Sequence, residues 1–378
     1  MSICEKDKCC GCGACVTVCP KEAVSLRDDM FHMEAVIDEK SCIGCKRCEV
    51  VCPVNNPPAL MHPLKWMQGW AKDKKIRENS SSGGFAKVLG YEFTDRGGFV
   101  FSCAFENGDF IFKTASTREE INAFTGSKYV KSNPSGCYSK IQKLLKEGKK
   151  VLFIGLPCQA AALKNYIGAA HRENLLIVDL ICHGTPSRAL LEKFLYSKKK
   201  SLKNLQNISF RHKGDSRLNG EKNFSPAGVP DSYSLGFFNG LFYTENCYQC
   251  RYAGLDRVSD MTIGDSWGSE LLEEGKRGIS LILCQTPKGV EWAEKLDFIY
   301  HEVDLKKAVE ANHQLQHPSK KPFSWEKIIK EVKEGKSFSK IFLKYYPTKY
   351  LKQVIKTITA KLHLKKWGGE YRLGYHEK

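Results

Sequence analysis

The sequence predicts an α/β protein, α+β overall, in which an N-terminal ferredoxin-like module with two 4Fe-4S sites precedes a two-lobed α/β body. Three observations predict it: a cysteine run written twice in the first 58 residues, a proline-rich boundary behind it, and alternating strand-like and helix-like segments from Trp66 onward. At 378 residues the chain exceeds one typical domain, since single cores stop growing near roughly 250–300 residues. Its 42% hydrophobic and 27% charged content is that of a globular protein, and no run approaches the roughly 18 apolar residues of a bilayer span. No basic segment followed by an apolar stretch opens the chain, so no secretory signal is visible and a cytoplasmic protein is expected.

Residues 1–58 hold ten of the seventeen cysteines. Cys9-x2-Cys12-x2-Cys15-x3-Cys19-Pro20 recurs as Cys42-x2-Cys45-x2-Cys48-x3-Cys52-Pro53, and both match the bacterial ferredoxin run in full. The short spacings wrap three thiolates around one cube while the fourth cysteine serves the other. One cluster is therefore assigned to Cys9, Cys12, Cys15 and Cys52, and the second to Cys42, Cys45, Cys48 and Cys19. Gly11, Gly13 and Gly44 allow the tight turns that aim N–H groups at sulfur. A zinc module is the competing reading, which the doubled pattern with both trailing prolines opposes. Cys4 and Cys10 are surplus and read as small buried or incidental thiols. The run from Pro53 to Pro58 prevents regular structure and marks a linker.

In the next segment, 66–145, Phe85–Thr94 reads as a helix, Gly98–Phe105 as a strand and Ser116–Phe124 as a helix. The alternation restarts in 146–310 with the buried-strand run Val151–Leu156, the helix Cys158–Tyr166, the strand Leu175–Ile181 and the helix Ser187–Lys198, a parallel β-α-β pattern. Cys158 and Cys182 each follow one of these strands, so parallel neighbours present both at the same sheet end, where α/β folds place their sites. Cys247 and Cys250 add a short-spaced pair. By spacing alone the four could hold a third 4Fe-4S cluster, with isolated buried cysteines or a structural zinc as the competing readings.

The final segment, 311–378, is basic and helical. From Lys340 to Lys378 ten Lys/Arg face two acids, Glu370 and Glu377. Leu351, Val354, Ile355, Ile358 and Leu362 recur at helical spacing, with Lys349, Lys352 and Lys356 on another side. The expectation is a terminal helix docked on the body with a solvated lysine face; peripheral contact with a membrane surface or an acidic partner is the alternative.

The formal charge of +17 invites a nucleic-acid reading. Each oxidised 4Fe-4S cluster with four thiolates contributes about −2, so two bring the balance to about +13 and three to about +11. No basic-aromatic nucleic-acid motif accompanies the charge, and no nucleic-acid partner is expected. The absence of G-x-G-x-x-G after a strand, of a P-loop and of C-x3-C-x2-C removes support for a Rossmann nicotinamide site, nucleotide hydrolysis and radical chemistry.

The strings Ser81-Ser82-Gly83-Gly84, Gly126-Ser127-Lys128-Tyr129-Val130, Gly155-Leu156-Pro157-Cys158-Gln159, Cys182-His183-Gly184-Thr185-Pro186, Phe210-Arg211-His212-Lys213 and Cys247-Tyr248-Gln249-Cys250, leading to Asp260 and Gly264-Asp265, form an ordered set over roughly 66–300. In that set the chain resembles the beta subunits of coenzyme F420-reducing hydrogenases and their dehydrogenase relatives, with a ferredoxin module that only some relatives carry fused. The resemblance implies FAD held between the two lobes and makes Cys158, Cys182, Cys247 and Cys250 the ligands of a third cluster. It marks Ser82, Gly83, Gly84, Ser127, Lys128, Tyr129, Gln159, His183 and Lys213 as the cofactor-binding set. Small residues before a helix offer N–H groups to a phosphate; Lys128 suits a pyrophosphate or a reduced flavin, Tyr129 a stacking role, and Arg211 and Lys213 an anionic group. The function expected is an iron-sulfur flavoprotein oxidoreductase acting on a small-molecule acceptor, deazaflavin-like or other. The alternative is a non-catalytic electron-transfer subunit within a larger complex, with an acidic redox protein or other subunits as partners.

Overall fold

The computed structural model describes residues 2–213, 215–220 and 223–367. In the module, β1 (Val24–Asp28) pairs antiparallel with β2 (Met33–Ile37), and short helices span Ala14–Val18 and Arg47–Val50. Each helix grows out of one cysteine run through a left-handed residue, Gly13 (φ 74°) in the first and Lys46 (φ 56°) in the second. The duplication therefore persists in three dimensions, with a lysine adopting the turn that glycine makes at less cost.

The body is built on one mixed sheet of eight strands in the order β10-β3-β9-β8-β7-β6-β4-β5. These are β3 (Lys65–Ala71), β4 (Phe99–Glu106), β5 (Asp109–Ala115), β6 (Val151–Gly155), β7 (Leu175–Leu180), β8 (Met261–Asp265), β9 (Ser280–Cys284) and β10 (Phe298–His301). At its centre β4, β6, β7 and β8 run parallel, while the pairings outside them are antiparallel. The unbroken apolar run of β6 is buried throughout, as a parallel strand covered on both faces requires. Segments 66–145 and 146–310 interleave here: β3 lies between β9 and β10, and β4 pairs with β6.

The helix Phe85–Asp95 packs Phe85, Leu89 and Phe93 on one face of this sheet. The other face receives the helices Cys137–Lys146 and Pro157–Ile167, and against these lie Cys10, Cys12, Ala14 and Val51 of the module. Phe31, at the β1–β2 turn, is fully buried in a separate aromatic core and meets Trp325 edge-to-face at 5.9 Å. Tyr138 donates to the Cys12 carbonyl at 2.9 Å, and the Ala189 N–H to Asp28 Oδ2 at 3.0 Å. The proline-rich linker is tied down as well: Asn165 donates to the Asn56 carbonyl at 2.7 Å, and Met61 exchanges two backbone hydrogen bonds with Arg257. The module is thus packed onto the body rather than tethered to it.

Three helices close the described chain: Trp325–Lys333, Phe338–Tyr345 and Pro347–Lys361. The first two bury Trp325, Ile328, Val332, Phe338, Ile341 and Phe342. The third departs from the expected docking. Leu351, Ile355, Ile358 and Leu362 stand 50%, 58%, 50% and 61% exposed, and the helix is held instead through Tyr346 and Tyr350 against the aromatic core and through Gln353 on the Pro230 carbonyl. The aromatic rings near its start, not its aliphatic stripe, decide which side faces inward. The last part of the 311–378 segment, 368–378, lies outside the described residues. No helix among the described residues is long and apolar enough to cross a membrane.

Candidate functional site

In the module, Cys19, Cys42, Cys45 and Cys48 line one small cavity, with Cys42 and Cys45 exposed. The Ala23 N–H points at Cys19 Sγ (3.3 Å) and the Gly44 N–H at Cys42 Sγ (3.4 Å), the N–H···S contacts that tune a cluster's potential. Cys9, Cys12, Cys15 and Cys52 are all buried, and Cys15 feels the charges of Cys9 and Cys52. Two surplus thiols sit against them. Cys4 lies beside Cys9 and Cys52, and Cys10 beside Cys12 on one side and Cys158 on the other; Cys52 and Cys9 raise the thiol of Cys4, and Cys12 raises that of Cys10.

Cys158 opens the helix after β6, Cys182 follows β7, and Cys247 lies in a short 3-10 turn, Glu245–Gln249, with Cys250 just behind. The fold brings the four together. Burial first, then the neighbouring charges of Cys247, Cys158 and Cys250, raise Cys182; burial followed by Cys247 and Cys158 pushes Cys250 up to about 12. Four half-buried thiols that raise one another's cost of ionisation make a poor home for free thiolates and a good one for a cationic iron-sulfur core. The loop that carries the Cys247/Cys250 pair is fastened by Arg257, which is buried and donates to Asp179 Oδ1 (3.2 Å) and to the Leu180 carbonyl (2.7 Å) at the end of β7.

Between this set and the module lies Lys131, which the motif reading did not single out although it directly follows the Gly126–Val130 string. Its Nζ donates to the Cys10 carbonyl at 3.0 Å. Burial opposes its charge, but Cys247, Cys158, Cys10 and Cys9 outweigh burial and hold it protonated above the ordinary lysine range. The signal for it is weak in sequence, a lone Lys between apolar and small residues.

A cavity of about 900 Å³ adjoins the third cysteine set, with Cys182 and His183 in its wall. That is ample for a dinucleotide-sized ligand. Ser82, Gly84, Ser127, Lys128, Tyr129, Gln159, His183 and Lys213 all line it; Gly83 does not. A Cβ on Gly83 would lie 2.3 Å from the Gly69 carbonyl oxygen and 2.6 Å from the Ser280 nitrogen, so this residue serves a close backbone approach between the turn and the sheet. Gly84 (φ 95°) then starts the Phe85–Asp95 helix without a capping side chain, leaving its first N–H groups open beside the cavity.

Lys213 donates to the Ser82 carbonyl at 2.9 Å, and burial together with Arg77 and Arg211 lowers it to about 8. Lys128 donates to the Phe124 and Thr125 carbonyls at 2.8 and 3.0 Å, and burial lowers it to about 8 as well. Arg211 forms a two-point pair with Asp265, at 2.6 and 3.2 Å. Tyr129 stacks on Phe237 at 4.2 Å, so its ring is already engaged. Gln159 is structural in part: its Oε1 accepts from the Leu156 N–H at 3.0 Å and its Nε2 donates to Ser132 Oγ at 3.0 Å. Burial and then His313 lower His183 to about 3, so it is neutral, and it is held by Gln314.

Comparison with known proteins agrees with the motifs. Residues 148–304 match the family model for the C terminus of the coenzyme F420 hydrogenase/dehydrogenase beta subunit, and residues 8–56 match the 4Fe-4S dicluster domain. A solved chain in the xenon-derivatised F420-reducing [NiFe] hydrogenase complex from Methanosarcina barkeri is 19% identical; 73% of this chain and 94% of that chain are covered, with a TM-score of 0.47. No curated protein matches this chain. The chain thus carries a segment similar to an iron-sulfur dicluster domain ahead of one similar to the C terminus of a hydrogenase/dehydrogenase beta subunit.

Proposed function

We propose that the chain is a flavin-dependent iron-sulfur oxidoreductase that relays electrons between three 4Fe-4S clusters and FAD, and so reduces or oxidises a small-molecule acceptor, a deazaflavin or another. One observation carries the reading: Cys182 belongs both to the third cysteine set and to the wall of the 900 Å³ cavity, so a cluster and a flavin bound there are neighbours.

The residues of the cavity fit the group. The open N-terminus of the Phe85–Asp95 helix, with Lys213 and Lys128, supplies N–H groups and positive charge for a pyrophosphate. Gly83 lets the Ser81–Gly84 turn approach the sheet, which aims that helix end. Bound there, a flavin supplies the interconversion of one-electron and hydride transfer. Arg211 is held in place by Asp265, and His183 stands neutral in the cavity wall, adding no charge. The cysteine sets form a sequence: the exposed Cys42 and Cys45 outermost, then the buried Cys9–Cys15 run, then Cys158 reached through Cys10.

Iron and flavin content after anaerobic reconstitution tests the proposal. About 12 iron atoms and one FAD per chain are expected, against 8 iron atoms for a dicluster module alone. Eight iron atoms without flavin overturn it. Full cofactor content with turnover of artificial dyes alone favours the electron-transfer subunit.

A further inference from the structure

The Pro347–Lys361 helix presents two unlike sides. Inward, Tyr346 and Tyr350 pack on the aromatic core, and Lys356, with Lys365 and Lys366 just beyond the helix, lines the cofactor cavity. Outward, Leu351, Ile355, Ile358 and Leu362 follow one another at spacings of four, three and four, the repeat of a single helix face, and all are at least half exposed. Leu364, 73% exposed, lies just past the helix end. A soluble protein rarely leaves so ordered an aliphatic row in water.

Charge identifies what covers it. From residue 340 to 367 there are eight lysines and no acid. Lys352 and Lys361 flank the row on the helical wheel, each within about a quarter turn of its edge. A protein partner meeting an aliphatic row needs no uniform surround of ammonium groups; a bilayer of anionic headgroups over hydrocarbon requires both. The helix is also too short and too charged to cross a bilayer, which leaves it lying in the interface plane.

We propose that the exposed Leu351–Ile355–Ile358–Leu362 face docks this protein peripherally on an anionic lipid surface, with lysines 352 and 361 on the headgroups. The inference goes beyond the redox reading and does not depend on the flavin.

Co-sedimentation of the intact, metal-loaded chain with vesicles tests it. Vesicles of phosphatidylcholine with about 30 mol% phosphatidylglycerol are expected to bind the chain at least about tenfold more tightly than pure phosphatidylcholine, with most binding lost in about 0.5 M salt. The double variant Ile355→Ser/Ile358→Ser is expected to lose about tenfold or more in partition, and Lys352→Glu/Lys361→Glu to lose the preference for anionic lipid. Both pairs are solvent-facing, and an unchanged visible absorption spectrum of the clusters verifies folding. Equal binding to both vesicle types, or no loss in the Ile355→Ser/Ile358→Ser variant, overturns the proposal. A concentration-dependent dimer that this variant dissolves also overturns it, by assigning the row to a second copy of the chain.

Discussion

Lys131 donates its ammonium to the Cys10 carbonyl oxygen across 3.0 Å, placing one buried positive charge between the module's inner cysteine set and the third set. A fixed cation there favours the more negative, reduced state of whatever the neighbouring sulfurs hold. Lys131→Met keeps the length of the side chain and removes the charge. At a nominal separation of about 8 Å and an effective dielectric near 20, the loss is roughly 2 kcal/mol, or on the order of 90 mV for one electron. EPR-monitored redox titration should show the nearer clusters shifted to lower potential, with the outer Cys42–Cys48 site almost unmoved.

Cys250→Ser removes one proposed ligand from the set gathered at the ends of β6 and β7. Iron per chain is expected to fall from about 12 to about 8, with the dicluster EPR signals retained. Loss of all iron would show that the three sets do not load independently.

Gly83→Ala places a methyl against backbone atoms of β3 and β9 that have no room to move. Destabilisation of about 1–3 kcal/mol is expected from overpacking alone, measured by urea unfolding. Flavin retention should fall further than stability does, because the same shift misaims the start of the Phe85–Asp95 helix.

The two cavity lysines set a pH dependence. With Lys213 and Lys128 lowered to about 8, both carry charge below that pH and lose it above. FAD affinity should therefore be full near neutrality and weaken as pH rises through 8, whereas an ordinary exposed lysine would hold its charge to above 10. Flavin fluorescence at roughly pH 7 and pH 9.5 reads this directly, and Lys213→Met should weaken binding by about tenfold at the lower pH and flatten the profile.

Phe31→Ala empties the pocket against Trp325. The module is expected to keep its iron while limited proteolysis begins to cut within 53–58, because docking is weakened by about 3–5 kcal/mol.

Much of this architecture was legible because it is written locally. The doubled ferredoxin run names the dicluster domain by spacing alone, and β6, β7 and their helices follow from short apolar runs ended by Pro157 and Ser187. The sequence left β3, β5, β8, β9 and β10 unread. Their partners lie far away in the chain, Lys65 opposite Cys284 for instance, and long-range register leaves little trace in composition. Gly83 was legible as part of a small-residue turn, but its neighbour Gly69 could be identified only in three dimensions. Lys131 and Cys10 escaped for the same reason: neither belongs to a spacing pattern, and each acquires meaning from a sulfur contributed by another element. For the Pro347–Lys361 helix the periodicity is real, yet periodicity names a face without saying what that face meets.

Phe31, sunk beside Trp325, turns a covalent fusion into a permanent junction. A donor held on a loose leash would collide with the body at a frequency set by leash length; here that search is already over when folding ends. The inner transfer then has no bimolecular order, and diluting the protein leaves it unchanged. The encounter with an electron-exchanging protein is left to the module's outer face, where Cys42 and Cys45 open to solvent beside exposed Ile43 and Val50.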